Sequence, residues 1–323
     1  MITLTAGSYA LLFPGQGSQY VGMAKRLAAE SRRADAVLAE LEDVLDLPVR
    51  RLCFEGPATE LAQTSATQPC VFAAGLACIA ALEDYLGVER LPPPAVCAGH
   101  SLGHLTALVA AGGLDRDDAA RLVRLRGQVM TEAGERRPGR MAAIGLADDE
   151  VDEIVEQARA EGVIGVANRN AWDQSVVSGE EPAVREAVRL AGERGARAKL
   201  LPVSIGAHSP LMAEAALAFG EAVDATSFRD TEVAVVLNES GDVTRSARAL
   251  QADARTNMVR PVDWRRVLAS LVGVTNVLVE VGPGATLTRL TPSALPPGRS
   301  KDPPAAVTVG FLAPFDSMLA RSG

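Results

Sequence analysis

The sequence predicts an α/β fold: a large, α/β-hydrolase-like domain with a parallel sheet, carrying a small ferredoxin-like domain inserted into it. Three observations predict this. Short apolar runs end in glycine-rich turns and lead into helical patterns; the middle of the chain switches to a β-α-β-β-α-β order; and the first rhythm then returns. With 323 residues, 48% hydrophobic and 22% charged, the chain can bury a sizeable core, which excludes disorder as its main state.

Tyr9–Phe13 is an apolar strand ending in Pro14-Gly15, and a helical pattern starts near Gln19. Two more helices are expected before the next strand, Ala95–Ala98. That strand runs into Gly99-His100-Ser101-Leu102-Gly103 and then a helix over Leu105–Ala111, which Gly112-Gly113 stops. Asp115 or Asp117 caps the following helix, which reaches about Glu132. Between about Gly139 and Val203 the expected elements are strand Met141–Gly145, helix Asp149–Glu161, strands Ile164–Asn168 and Ser175–Ser178, helix Pro182–Gly195 and strand Ala196–Val203. The small domain is therefore residues 139–203, and the large one is 1–138 with 204–323. The large rhythm resumes with strand Val233–Leu237, helices over Arg245–Thr256 and from about Pro261, and strand Asn276–Val281 before Gly282-Pro283-Gly284. Low complexity is confined to Ala-rich helical stretches and the Pro-rich pieces Leu91–Pro94 and Pro296–Pro304. A cleft between the two domains is the natural place for a site.

Charge and composition narrow the function. A formal net charge of −8 argues against a sequence-independent grip on nucleic acid. No apolar run is expected to reach the length of a bilayer span, and the start of the chain lacks a charged leader, so a cytoplasmic protein without a membrane partner is expected. Cys53, Cys70, Cys78 and Cys97 form no C-x-x-C pair and read as small buried hydrophobes.

Gly99-His100-Ser101-Leu102-Gly103 fits the G-x-S-x-G nucleophile elbow, flanked by the strand and helix that motif requires. Ser101 would project at a helix N-terminus, where free N–H groups stabilise negative charge on an acyl oxygen. The alternative is a merely structural glycine turn. A serine nucleophile needs a base, and the chain has three histidines, His100, His104 and His208. The first two lie too close to Ser101 in sequence to approach its hydroxyl from across a cleft. His208, in a loop-like stretch where the chain rejoins the large domain, is the candidate base; the alternative is a surface loop histidine. His100 and His104 have zinc-like H-x-x-x-H spacing, but the glutamate that motif needs is absent and two glycines oppose a continuous helix, so no metal is expected.

In the helix from Asp117, the apolar face comprises Ala119, Leu122, Val123, Leu125, Val129 and Met130, and Arg126 falls near its centre. A buried guanidinium must meet an anion or several acceptors. Two readings stand: an ion pair between domains, or a receptor for a substrate carboxylate, to which arginine gives two parallel hydrogen bonds.

The sequence resembles the malonyl-CoA:acyl-carrier-protein transacylases and the related acyltransferases of polyketide synthases. The matching pieces are Phe13-Pro14-Gly15-Gln16-Gly17-Ser18-Gln19, Thr67-Gln68-Pro69, the Gly99–Gly103 elbow, Arg126-Gly127-Gln128-Val129-Met130, Ala167-Asn168-Arg169-Asn170, His208-Ser209-Pro210-Leu211-Met212, Pro261-Val262-Asp263-Trp264 and Glu280-Val281-Gly282-Pro283-Gly284. The resemblance implies that Ser101 takes an acyl group from a coenzyme A thioester and passes it to the phosphopantetheine thiol of an acyl carrier protein. No resident cofactor is implied. His208 would be base and then acid, and the backbone N–H groups of Gln16 and Leu102 would form the oxyanion hole. The backbone carbonyl of Asn257 would orient the histidine, and Arg126 would pair with the malonyl carboxylate. Gln68, His100, His104, Met130, Asn168 and Ala207 fall in or beside the matching pieces and complete the expected substrate site.

Two positions depart from the family. His104 stands where most members have Glu, and Ala207 stands where malonyl-selective polyketide members commonly carry Phe, leaving more space at the acyl α-carbon. Leu102 resembles the malonyl type. The expected substrate is thus malonyl or an α-substituted malonyl group, used in fatty-acid or polyketide assembly by a monomeric enzyme. The other candidate functions are an acyl hydrolase clearing carrier proteins, an acyltransferase moving an unusual acyl group between carrier proteins, and a non-catalytic docking module. Carrier proteins are generally acidic, so docking is expected at Arg185, Arg189, Arg194, Arg197 and Lys199 or at Arg265-Arg266.

Overall fold

The computed structural model describes residues 3–295 and 304–309. The Pro-rich piece Pro296–Pro304 lies, except for Pro304, outside the described residues, as does the 310–323 end of the expected large domain. In chain order, β1 (Ala10–Phe13) leads to α1 (Lys25–Glu30), α2 (Arg32–Leu45), α3 (Val49–Glu55), α4 (Ala58–Leu61) and α5 (Thr64–Leu86). β2 (Val96–Gly99), α6 (Gly103–Ala110) and α7 (Arg116–Arg136) follow. The next stretch holds β3 (Gly139–Ile144), α8 (Asp148–Ala158), β4 (Ile164–Ala171), β5 (Gln174–Glu180), α9 (Glu181–Glu193) and β6 (Ala198–Leu200). The remainder comprises α10 (Ala213–Ala225), β7 (Ala234–Val236), β8 (Val243–Thr244), α11 (Ala247–Thr256), β9 (Val262–Asp263), α12 (Trp264–Val274), β10 (Val277–Val281), α13 (Thr286–Ala294) and β11 (Ala305–Val309).

The first region differs from expectation. No helix starts near Gln19, because Gly17 and Gly22 adopt positive φ and hold the segment in turns until Lys25. Five helices rather than three precede β2, since α3 and α4 are too short to show a full amphipathic period. The expectation that no apolar run could span a bilayer is also corrected. α5 is long and apolar enough by length and composition, but 89% of that stretch is buried inside the protein, where α2 and α7 pack against it.

Two sheets organise the fold. The larger has the order β11-β10-β1-β2-β7-β8, parallel throughout except for the antiparallel edge strand β8. Both faces are covered, as parallel sheets require: Leu11, Phe13 and Cys97 point into one apolar cluster, and Ala10, Leu12, Val96 and Ala98 into the other. The smaller sheet has the order β6-β3-β5-β4-β9, with a separate core built from Ile144, Ile154, Val177 and Val184 among others. Its fifth strand comes from outside the 139–203 stretch: β9 pairs in parallel with β4, Val262 opposite Asn168 and Asp263 opposite Arg169. An ion-pair network reinforces this junction. Arg265 meets Asp148 and Asp263, Arg169 meets Asp148 and Asp152, and the Arg265 guanidinium lies 4.8 Å from the Trp172 ring centroid. The four cysteines are buried and form no disulfide with one another.

Candidate active site

The elbow forms where β2 passes into α6. Its two glycines are steric necessities: a Cβ on Gly99 would sit 2.0 Å from the carbonyl carbon and oxygen of Gly103, and one on Gly103 would sit 2.1 Å from the carbonyl oxygen of Phe13. Between them Ser101 is held at φ 53, the strained left-handed conformation that throws its hydroxyl clear of the turn. The Ser101 N–H donates to Asn238 Oδ1 at 2.9 Å, and Asn238 Nδ2 donates to the carbonyl of Gly99 at 2.9 Å. One side chain thus ties both ends of the turn.

His208 also has a positive φ, of 57°, and its ring reaches the serine: Nε2 lies 2.7 Å from Ser101 Oγ. It is 5% exposed, which removes the surface-loop alternative. Its other nitrogen, Nδ1, lies 2.8 Å from a backbone carbonyl, which can only accept; the proton therefore resides on Nδ1 and leaves Nε2 free to take one from Ser101. That carbonyl belongs to Arg260. Asn257, the first residue after α11 and the expected orienting position, also acts on the ring through its backbone, but more weakly than Arg260. Burial, and then the Arg126 cation, push His208 down to about 3.

Arg126 is 2% exposed and meets three neutral acceptors: Gln68 Oε1 at 2.9 Å, Asn257 Oδ1 at 3.0 Å and Ser101 Oγ at 3.3 Å. Among the described residues no carboxylate pairs with it, which removes the inter-domain ion pair. Burial lowers its pKa to about 10, and the guanidinium remains a cation at neutral pH. Gln68, fully buried, passes this order outward: its Nε2 donates to Met130 Sδ at 3.2 Å and, at 3.5 Å, to Gln16 Oε1, while Gln16 Nε2 donates to Thr64 Oγ1. Among the described residues no backbone acceptor takes the N–H of Gln16 or of Leu102, the residue preceding α6.

The remaining expected residues spread around this centre. His104 is buried beside Ser101, with Nδ1 3.3 Å from Asn238 Nδ2 and Nε2 3.2 Å from Asp253 Oδ2. His100 points elsewhere, to Asn170 Oδ1 at 3.1 Å and the ring of Trp264. The two histidines therefore do not converge. Ala207 is buried next to His208, and Asn168 is buried in β4, where no hydrogen bond of its side chain reaches Ser101, His208 or Arg126. Ser101, His104, Leu105, Arg126, Phe219, Ala254 and Asn257 line a narrow recess. Sequence reasoning missed Asn238, Arg260 and Asp253. A usable signal existed for Asn238, which follows the C-terminal end of a parallel strand, the edge where α/β folds place their sites.

Comparison with known proteins follows this geometry. The family described as acyl transferase domain matches residues 10–314. A malonyl CoA-acyl carrier protein transacylase from Bacillus subtilis (strain 168) is 38% identical over 286 residues, which cover 87% of this chain and 88% of that protein. The crystal structure of a malonyl-CoA:acyl carrier protein transacylase from Xanthomonas oryzae is 35% identical and superposes with a TM-score of 0.89, covering 97% of this chain and 98% of that one. A type II PKS acyl-carrier protein in complex with its malonyl-transacylase gives 31% identity and a TM-score of 0.84, covering 98% of this chain and 96% of its counterpart.

Proposed function

The chain belongs to the acyl transferase domain family, and on that premise we propose that it moves a malonyl-type group from coenzyme A to the phosphopantetheine thiol of an acyl carrier protein, through an ester on Ser101. The observation that carries the substrate class is Arg126, a buried cation without a carboxylate partner, 3.3 Å from the serine oxygen. Such a group gains most from an acyl chain that brings its own carboxylate, which two parallel hydrogen bonds would hold. A hydrolase for uncharged acyl chains would gain nothing from it.

The chemistry follows from the Ser–His dyad. His208 Nε2 takes the Ser101 proton as Oγ attacks the thioester carbonyl, and the N–H groups of Gln16 and Leu102 receive the developing oxyanion. Collapse breaks the C–S bond; the imidazolium returns its proton to the departing coenzyme A thiolate, leaving malonyl-Ser101. The carrier's thiol then loses its proton to His208 and attacks the ester, and the same proton restores the serine hydroxyl. The substrate carboxylate also neutralises Arg126, the charge that helps hold His208 so low, so a dicarboxylic substrate improves its own base.

Finer points belong to the same proposal. Ala207 leaves room for a substituent on the acyl α-carbon. Residues 139–203 form a ferredoxin-like insert whose sheet borrows β9. The enzyme works as a monomer in the cytoplasm, in fatty-acid or polyketide assembly. Docking of an acidic carrier narrows to Arg197 and Lys199, both exposed and without an ion-pair partner among the described residues. The other expected cations are engaged: Arg185 by Glu181, Arg189 by Glu186 and Glu193, Arg194 by Glu153, Arg265 by its buried network and Arg266 by Asp263. The test is intact-protein mass spectrometry after incubation with a panel of acyl-CoAs. A malonyl-sized gain on the wild type and none on Ser101→Ala is the expected result; an acetyl or long-chain adduct in preference to any dicarboxylic one overturns the substrate class.

A further inference from the structure

The mechanism above uses Ser101, His208 and Arg126, yet it leaves idle a buried polar group that touches both ends of the nucleophile turn. Asn238 is 2% exposed, just beyond β7, and its amide makes three contacts with the elbow and α6. Oδ1 accepts from the Ser101 N–H, while the two Nδ2 hydrogens face the Gly99 carbonyl and His104 Nδ1. Turning the amide over would set N–H against N–H at Ser101 and oxygen against oxygen at Gly99. The amide therefore holds Ser101 in its strained backbone only in one orientation.

His104 reinforces that orientation. For Nδ1 to accept from Asn238, the imidazole must be neutral with its proton on Nε2, and Nε2 faces Asp253 Oδ2 at 3.2 Å, in a bent approach that falls short of a full hydrogen bond. The charged groups around the ring are Asp253 on α11, which favours a proton on Nε2, and Arg126 on α7, which opposes a second proton. Burial opposes that second proton more strongly still, so the ring stays in its neutral form below the usual imidazole range.

We propose that Asn238 is a positioning residue for the nucleophile, and that His104, poised against Asp253, stabilises the direction its amide takes between Ser101 and Gly99. The proposal rests on Ser101 being the nucleophile. A relay from Asp253 through His104 and Asn238 then sets the aim of the serine, although none of the three has a part in the bond changes.

Two measurements test it. Nitrogen-15 NMR of histidine-labelled wild-type protein, with the His104 signals identified by their loss in His104→Gln, should show the Nε2–H tautomer at neutral pH; a proton on Nδ1 overturns the proposal without any variant having to fold. In single-turnover acylation by malonyl-CoA, Asn238→Ala should lose about 10²-fold in rate with an unchanged KM, the signature of a misaimed nucleophile rather than a lost substrate contact. Asp253→Ala, which removes the acceptor facing Nε2–H, should weaken the preference for that tautomer and slow acylation about tenfold, with the tautomer change visible in the same spectrum. Wild-type acylation rates in both variants refute the relay. A wild-type protein that forms no acyl-Ser101 at all would instead count against the enzymatic reading.

Discussion

Replacing Arg126 with alanine separates substrate recognition from chemistry. In the free enzyme the guanidinium is held by three neutral oxygens and lacks the anion that would balance it. A malonyl carboxylate supplies that anion in a site closed to bulk water, and breaking such a pair costs about 3–5 kcal/mol. At about 1.4 kcal/mol per decade, malonyl kcat/KM should fall by about 10²–10⁴. Acetyl transfer should hold or rise, because the acetyl methyl offers nothing to the cation, and removing the cation relieves part of what presses His208 down to about 3. The decisive quantity is the ratio of malonyl to acetyl kcat/KM, measured as acyl-enzyme formation in the wild type and in Arg126→Ala. A fall of at least 10² is expected. An unchanged ratio, with both substrates impaired alike, would refute the carboxylate role and leave Arg126 as a support for Gln68 and Asn257.

His208→Ala should slow acylation at least ~10²-fold at neutral pH, the usual scale for losing a general base, as read by stopped-flow release of coenzyme A; near-normal turnover would assign the base elsewhere. Gly103→Ala should fail to yield folded protein by circular dichroism, since its Cβ would lie 2.1 Å from the Phe13 carbonyl oxygen, and a normal melting curve would contradict the turn geometry. Acid should destabilise the fold through His208: the folded state keeps the ring neutral to about 3, whereas the unfolded chain takes up a proton near 6.5, so the stabilisation is full above 6.5 and is lost as the pH falls toward 3. The slope is at most about 1.4 kcal/mol per pH unit, and urea midpoints should drop less steeply in His208→Gln than in wild type. Reversing charge with Lys199→Glu should raise the KM for the carrier protein and spare acylation by acyl-CoA; an unaltered carrier KM places docking elsewhere.

Features written in local chemistry were legible in the sequence. The elbow could be read because its glycines, serine and flanking elements are adjacent in the chain, and Arg126 because a cation on an apolar helix face breaks a periodic pattern. The order of elements from 139 to 203 was readable for the same reason, whereas β8 and β9, two residues each, have no period to detect. α10 went unseen because its run of alanines blurs the contrast between faces. What joins remote segments stayed hidden. Arg260 contributes only a backbone oxygen, which no side chain announces, and Asn238 lies 137 residues from its partner Ser101. Asn257 could be placed by counting back from Pro261, but the stronger backbone acceptor, Arg260, could not, because a position in the chain does not give the direction of a peptide plane.

The stretch from Asn257 to Asp263 acts as a tether between the two sheets. One end holds Arg126 through the Asn257 side chain, the middle steers the His208 ring through the Arg260 carbonyl, and the far end is stitched as β9 into the smaller sheet. A tilt of that sheet would therefore bear on His208 and Arg126 together, through seven residues of backbone. A carrier protein that leans on the smaller sheet while delivering its thiol would grip the same lever, so the arrival of the acceptor could be felt at the catalytic centre before the thiol reaches it.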